Sequence, residues 1–531
     1  MTFKRAIATG AVLTLSLAAC AGGGTTDVGE GGAGDNGSAT AGGGGGGDFS
    51  IAWNAQPPTL DPIVTTATSA RDISRNFFEP LLTTDADGAV QPVLAESFEM
   101  SDDATELTIA LREGLTFHNG DPVTAEDAVA SLKRWAESTG VGQLYFHEQA
   151  TIEATDELTI TITLDSPTGI APQLLAEQGQ LPMIMPASIA EEAGLDSVEE
   201  YIGTGPYKLD EWRTDQFVRL ERFEDYQSPE GETAGTAGAK EPSFDTITFN
   251  IVTDASTRMS GLQSGEYDAA NALPLDNAEM LERDDNIQLV SGPQGFNGAV
   301  FNKRAGLMSD VNMRKAVLAA IDPEAIQQAA FVSDEYYNLN PALMSEDSPW
   351  YSDAGQELYH NEDQAVVDEL LEEAGYDGET IRILTSREYA DHYNNAVPLQ
   401  QQLEDAGMSA ELVVTDWATV LQDRSNENAY EIFITGFAPV TVPVVYVFLS
   451  PSWPGWTDSD EISAATEAFG NAADEAEAQE AAADLQQAFY DYLPMVKFGD
   501  KWTATGLRSD ISGYEFVPLS GDIFYNARRD G

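Results

Sequence analysis

Four histidines, one cysteine and 89 acidic residues are the groups here able to do acid–base, nucleophilic or metal chemistry. Their spacing organises none of it. His118, His147, His360 and His392 show no ligand interval such as His-x3-His. His118 lies in a tight turn and reads as structural. Carboxylate pairs such as Asp102-Asp103 and Glu372-Glu373 are unavoidable at this density and mark no acid–base site. There is no Gly-x-Ser-x-Gly elbow and no His-Glu-x-x-His. What remains is recognition. Trp417 offers an apolar wall or stacking face, with packing at a helix start as the alternative; Arg424 offers a cation for a carboxylate or polar oxygen. Trp53 and Asn54 follow the first strand, Arg387 and Tyr389 follow the strand Ile381–Leu384, and Phe437 follows the strand Ile432–Thr435. Strand ends are where open α/β sheets bind ligands, so these are candidate contacts, each against a packing alternative.

The charge balance is 26 Lys+Arg against 89 Asp+Glu. That excludes nucleic acid and anionic lipid surfaces as partners, since both need a basic footprint. Two readings of the acidity stand: a solvated surface that keeps an extracellular protein soluble, or adaptation to high salt. Lys4 and Arg5, the apolar run Ala6 to Ala19, and Leu17-Ala18-Ala19-Cys20 resemble a bacterial lipoprotein signal. The expectation is a signal peptide over residues 1–19 and acylation of Cys20 at the cell surface. With no second cysteine, no intramolecular disulfide forms. Residues 20–47, ending in Gly42 to Gly47, are too poor in apolar side chains to order themselves and read as a tether. No strand precedes that glycine run and no Lys-Ser/Thr follows it, so it is not a phosphate loop.

At 531 residues and 42% hydrophobic content, two or more lobes are expected. Strands and helices alternate along the chain, which predicts α/β construction. Phe49–Trp53, Phe244–Phe249, Ala299–Asn302, Glu411–Val414 and Tyr430–Thr435 read as strands. Helices are expected at Ala70–Phe78, Asp310–Ile321, Ala365–Ala374, Val397–Ala406 and Trp417–Arg424, with one long helical stretch over Ile462–Leu493. Ile152–Leu164 reads as a single strand. Between Pro92 and Trp135 lie two half-buried strands, a His118-Asn119-Gly120-Asp121-Pro122 turn, a Thr124/Asp127 helix start, and a stripe of Val129, Leu132 and Trp135.

The order of these pieces carries a resemblance. Leu60-Asp61-Pro62, Pro92 to Ser97, Leu111 to Gly120 and Pro122 to Asp127 resemble the signature region of the family 5 solute-binding proteins. These are extracytoplasmic receptors of ABC importers for oligopeptides, dipeptides, nickel and related solutes. Gly203 to Tyr207, Phe244 to Ile247, Ser264 to Asp268, Phe301-Asn302, Met313 to Ala316 and Glu373 to Tyr376 follow in the family's order, over about residues 49–525. The resemblance implies a two-lobe, periplasmic-binding-protein-like α/β fold (type II, cluster C-like) that closes about a hinge. Lobe one would span 48–292 with the C-terminal return 506–531, a subdomain would be inserted over about 77–198, and lobe two would span 293–505. It also implies solute capture by closure and docking on permease and ATPase subunits; a monomer without cofactor, metal or catalysis is expected beside it. A secreted hydrolase and a surface sensor or adhesin are the alternatives.

By the same resemblance, Asn297 lies where the chain crosses to lobe two and joins the candidate contacts. In the family's oligopeptide receptors, the segment matching Tyr430 to Pro443 carries an arginine on the strand and an aspartate just beyond it, which pairs with the peptide's free amine. Those positions fall here at Ile434 and Val440. A buried ammonium without a partner is costly, so ordinary free-amine peptides are not expected. A modified or cyclic peptide, a siderophore-like molecule or a glycan would suit the more neutral, partly aromatic pocket.

Overall fold

The structure, a computed structural model, describes residues 46–472 and 475–530. The expected signal peptide, Cys20 and most of the expected tether lie outside them. An 11-stranded sheet runs through the folded body. From one edge its order is Ser409–Thr415, Thr380–Ser386, Ile432–Phe437, Ile287–Phe301, Met495–Arg508, Ala269–Ala270, Asp48–Trp53, Thr246–Ile251, Phe217–Arg222 and Tyr207–Arg213. The short strand Tyr337–Asn338 adds to Met495–Arg508. Asp48–Trp53 runs parallel to both its neighbours, as Thr380–Ser386 does on the far side. The central strand of each parallel set, Asp48–Trp53 on one side and Thr380–Ser386 on the other, is largely buried.

Two long antiparallel strands join these halves. Ile287–Phe301 and Met495–Arg508 pair from Ile287↔Arg508 to Pro293↔Trp502, lose register, and resume at Phe296↔Asp500. Beyond the break, Ile287–Phe301 takes Ile432–Phe437 as a second partner. The interruption is local chemistry. Pro293 has no N–H to give the ladder, and Gly295 sits at φ +87°, where a Cβ would strike the Phe437 carbonyl oxygen.

A separate four-stranded antiparallel sheet, Ala95–Met100, Glu106–Leu111, Thr159–Leu164 and Ala150–Ala154, is packed by the helix Ala125–Ser138. The helix starts as its sequence predicts: Asp127 Oδ2 accepts from the Thr124 N–H at 2.9 Å. Leu132 and Trp135 face inward, but Ala128 takes the place expected for the half-buried Val129. The single strand expected over Ile152–Leu164 is a hairpin. Asp156 accepts from the Leu158 N–H at 2.9 Å and turns the chain there.

The signature pieces meet in space. Asp61 forms a buried ion pair with Arg134 (2.7 Å, side chains 0% and 2% exposed), and Arg134 also donates to the Gly194 and Asp196 carbonyls. His118 Nε2–H donates to the Gly205 carbonyl at 3.0 Å, and Nδ1 accepts from the Gly203 N–H at 3.3 Å. Burial lowers its pKa to about 4, so the ring stays neutral and structural. A Cβ at Gly203 or Gly205 would strike the carbonyls of Phe77 and Asn76, so both positions require glycine.

In the second half, two expected boundaries move. The helix expected from Val397 starts seven residues earlier, at Ala390–Asp405, and runs through Pro398. Ile462–Leu493 divides into two packed helices, Asp460–Gly470 and Glu475–Tyr492.

Candidate functional site

One large cleft opens between the two halves of the sheet, with about 1720 Å³ of non-protein space, its mouth included. It lies where strand ends from both halves converge. From one side come Asp48–Trp53 with Asn54, and the helix Thr68–Ser74. From the other come Tyr389 to His392, the helix Trp417–Asp423 with Arg424, and the segment Thr435 to Trp453.

Seven of the nine expected contacts line it: Trp53, Asn54, Tyr389, Trp417, Arg424, Phe437 and Val440. Two do not. Asn297 is fully buried behind the wall, where its Nδ2 donates to Asp391 and Asn395. Its strand runs through the centre of the sheet, so its side chain braces a wall residue instead of reaching solute. Arg387 is exposed and turned away, stacked on Tyr393 at 4.2 Å and bonded to its hydroxyl. The early start of the helix Ala390–Asp405 puts Tyr393 in its first turn, within reach of Arg387, and holds the guanidinium outside. Ile434 is fully buried in the strand, so of the two substituted family positions only Val440 faces the cleft.

Aromatic rings build one wall. Tyr389 stacks on His392 at 4.8 Å, and Trp417 meets the two at 4.9 and 5.3 Å. Burial lowers the His392 pKa to about 4, against the pull of Asp391, and keeps the ring neutral. Trp417 is 5% exposed with its Nε1 unpartnered, so it both packs and presents an edge. Trp53 lies deeper, packed edge-on against Phe249 and Phe524.

Besides the half-buried Glu388, charges reach the cleft in three places. Lys501 and Asp391 pair at 2.6 Å; burial alone would raise the Asp391 carboxyl, but Lys501, His392 and the bond from Asn297 hold it below the ordinary range. Arg71 and Arg75 both meet Asp72, at 2.7 and 3.2 Å, beside Asp522. Asp522 accepts from Thr505 and Tyr514, yet burial and the neighbouring Asp72 raise its pKa to about 6. Arg424 differs from both. It lies over the Trp453 ring at 5.0 Å and donates to Thr66 Oγ1 at 2.8 Å, while its Nε is buried without a partner. No carboxylate pairs with it among the described residues, and burial lowers its pKa to about 10. The arrangement suits stacking of an apolar or planar group beside capture of an anion.

Sequence reasoning missed Asp391, His392, Lys501, Arg71, Asp72 and Asp522. A partial signal existed for two: Asp391 and His392 occupy the first turn of a helix that follows a strand, a position able to aim side chains at the sheet's ligand edge. The metal reading also needs an addition. Asp322, His360 and Glu362 do not line the cleft but place their ligand atoms within 4.8 Å of one another. Asp322 Oδ1 already caps the Ala325 N–H, and all three side chains are 35% to 43% exposed, so the group reads as a surface ion-pair cluster.

A profile of the bacterial extracellular solute-binding proteins, family 5, matches residues 89–460. The chain belongs to this family. Its function is solute capture outside the membrane for an ABC importer. Among curated relatives, a probable peptide ABC transporter periplasmic-binding protein of Sinorhizobium fredii is 28% identical over 494 residues, 88% of this chain and 91% of that protein. A glutathione-binding protein of Escherichia coli K12 is 29% identical over 419 residues, covering 77% and 78%. The fold is shared with a binding protein from A. tumefaciens R10 in complex with agropinic acid, at TM-score 0.78 and 24% identity over 91% of this chain and 99% of that one. The family and these neighbours are binding proteins and not enzymes. Among the described residues, no helix of the solute-binding protein is long and apolar enough to cross a membrane.

Proposed function

We propose that this protein captures a carboxylate-bearing peptide-like solute whose amine is blocked or cyclised, closes on it, and presents it to the permease and ATPase subunits of its importer. The observation that carries this is the buried Arg424, which has no carboxylate partner among the described residues, in a cleft whose lining has Val440 at the position of the acid of the free-amine peptide receptors. Charge-assisted pairing with a carboxylate relieves the desolvated guanidinium, whereas the apolar surface around Val440 gives an ammonium nothing to pair with. The peptide and glutathione named for the relatives support peptide-like chemistry.

Lobe one comprises residues 48–292 and 506–531, with the subdomain 77–198 inserted, and lobe two comprises 293–505. The register break at Pro293/Phe296 supports a hinge there. The working form is a monomer tethered through acylated Cys20, and it releases its solute unchanged. Native mass spectrometry of the purified, unlipidated protein tests the assignment. Recovery of an amine-blocked or cyclic carboxylate, released intact, is expected. A linear peptide with a free amine would overturn the reading of Val440 and would make Glu388, a half-buried cleft carboxylate, the first candidate for its partner.

A further inference from the structure

The inserted subdomain touches lobe two at a second place, outside the cleft. After the helix Ala125–Ser138, Thr139 caps a short turn that passes into a wide helical turn, Gln143–His147. That turn pushes Tyr145 out of its own subdomain and into the helix Asp460–Gly470. Its hydroxyl donates to the Thr466 carbonyl at 3.0 Å, and the side chain is buried there, with 7% of the residue exposed. The next residue, Phe146, turns the other way and packs edge-on against Trp135 at 5.2 Å, which anchors the turn to its own lobe.

The receiving surface is shaped for the ring. Any Cβ at Gly470 would collide with Tyr145. Beside it, a Cβ at Gly140 would come within 3.2 Å of the Ser450 hydroxyl, so the two segments pack closely there. One further contact ties the inserted subdomain to lobe two through other elements: Glu177 Oε2 accepts from the Thr441 N–H and hydroxyl at 3.2 and 2.8 Å. None of Tyr145, Thr466, Gly470, Gly140 or Ser450 lines the cleft.

We infer that Tyr145 is a latch: a positioning residue that docks into the Gly470 notch of lobe two when the lobes close, and raises the closed population without touching solute. The inference rests on the lobe assignment proposed above. If the lobes separate about the Pro293/Phe296 break, the bond to Thr466 and the ring contact exist only in the closed form. By linkage, an interaction present only in the closed form tightens binding of every solute by the same factor. Selectivity among solutes stays with the cleft.

The test measures lobe separation by pulsed electron spin resonance between labels at Asp225→Cys and Glu369→Cys, both exposed, in a chain carrying Cys20→Ser. Without solute, the parent protein is expected to show a closed component. Tyr145→Phe, which keeps the ring and loses the donor, should lower the closed-to-open ratio about 2- to 13-fold. Gly470→Ala should lower it about tenfold or more by overpacking the notch. Alanine favours the helical state more than glycine, so a lost closed component in that variant would not reflect a weakened helix. An N-acetylated tryptic peptide pool then serves as solute probe, and each bound member should weaken by one common factor. Coincident distance distributions for the parent and both variants, or weakening that differs from peptide to peptide, would overturn the latch. If no pool member shifts the distances in any chain, the solute assignment fails and the solute-free arm alone decides the latch.

Discussion

Arg424→Met is the substitution that most directly tests how this cleft holds its solute. Methionine keeps the length of the stem and removes the charge. In the solute-free cleft, the fall of the guanidinium pKa from 12.5 to about 10 is caused by desolvation, with Tyr430 opposing it. At about 1.4 kcal/mol per tenfold, that puts the uncompensated burial of the charge at about 3 kcal/mol. Stacking on Trp453 and the bond to Thr66 offset part of it. A solute carboxylate that reaches Nε completes the pairing, and hydrogen bonds to charged groups contribute about 1.5–3 kcal/mol. The variant should therefore bind the co-purified solute about 10- to 150-fold more weakly by titration calorimetry. The amide of that solute should lose far less, because it never engaged the charge. Solute-free Arg424→Met should unfold at the same or a higher denaturant concentration, since a buried unpaired charge has been removed. A Kd within threefold of the parent, or equal losses for acid and amide, would refute the pairing. A clearly earlier unfolding would show instead that Arg424 serves the fold.

Val440→Asp restores an acid to the position that faces the cleft, and should shift the ratio of free-amine to N-acetylated peptide binding at least about tenfold toward the free amine; an unchanged ratio in a competition assay would place the amine site elsewhere. Asp522 gives a pH signature. Its folded pKa of about 6 exceeds the ordinary 3.8, so the native state binds the proton more tightly and stability falls as pH rises from about 3.8 to 6, then levels. Asp522→Asn keeps an acceptor for Thr505 and Tyr514, and should gain stability over the parent by about 3 kcal/mol between pH 4 and pH 7, with most of the gain below pH 6. A pH-independent difference in urea unfolding contradicts this assignment. Asp61→Asn leaves Arg134 buried without its anion and should destabilise the chain by about 3–5 kcal/mol in the same assay, whereas a change below about 1 kcal/mol would mean the pair is dispensable.

How far the sequence spoke depended on how local each cause is. The motif run Pro92 to Trp135 was readable because its turn, helix cap and strand alternation are set by neighbours in the chain, yet it says nothing of why Leu60-Asp61-Pro62 precedes it. The fold supplies the reason, since Asp61 neutralises Arg134 and Gly205 receives His118. Cleft contacts at strand ends were legible for the same local reason: a strand end at the carboxyl edge of a sheet points into the crevice whatever its side chain is. That rule reaches Tyr389 and Phe437 on the cleft wall but not Arg387, because the helix begins seven residues before Val397 and sets Tyr393 against the guanidinium. It failed at Asn297 because a residue inside a strand shared by both halves has no free end. The Asp391–Lys501 pair was beyond reach on other grounds. Its members lie on a helix and on a returning strand, and only the sheet order brings them together. With acids outnumbering bases by 89 to 26, any acid has many candidate partners and each base is claimed by several. In such a chain the informative residue is the buried base of the cleft that no acid claims. Arg424, among so many carboxylates, has none in the described structure and keeps its Nε unpartnered, which is the ground for proposing the solute's own anion there.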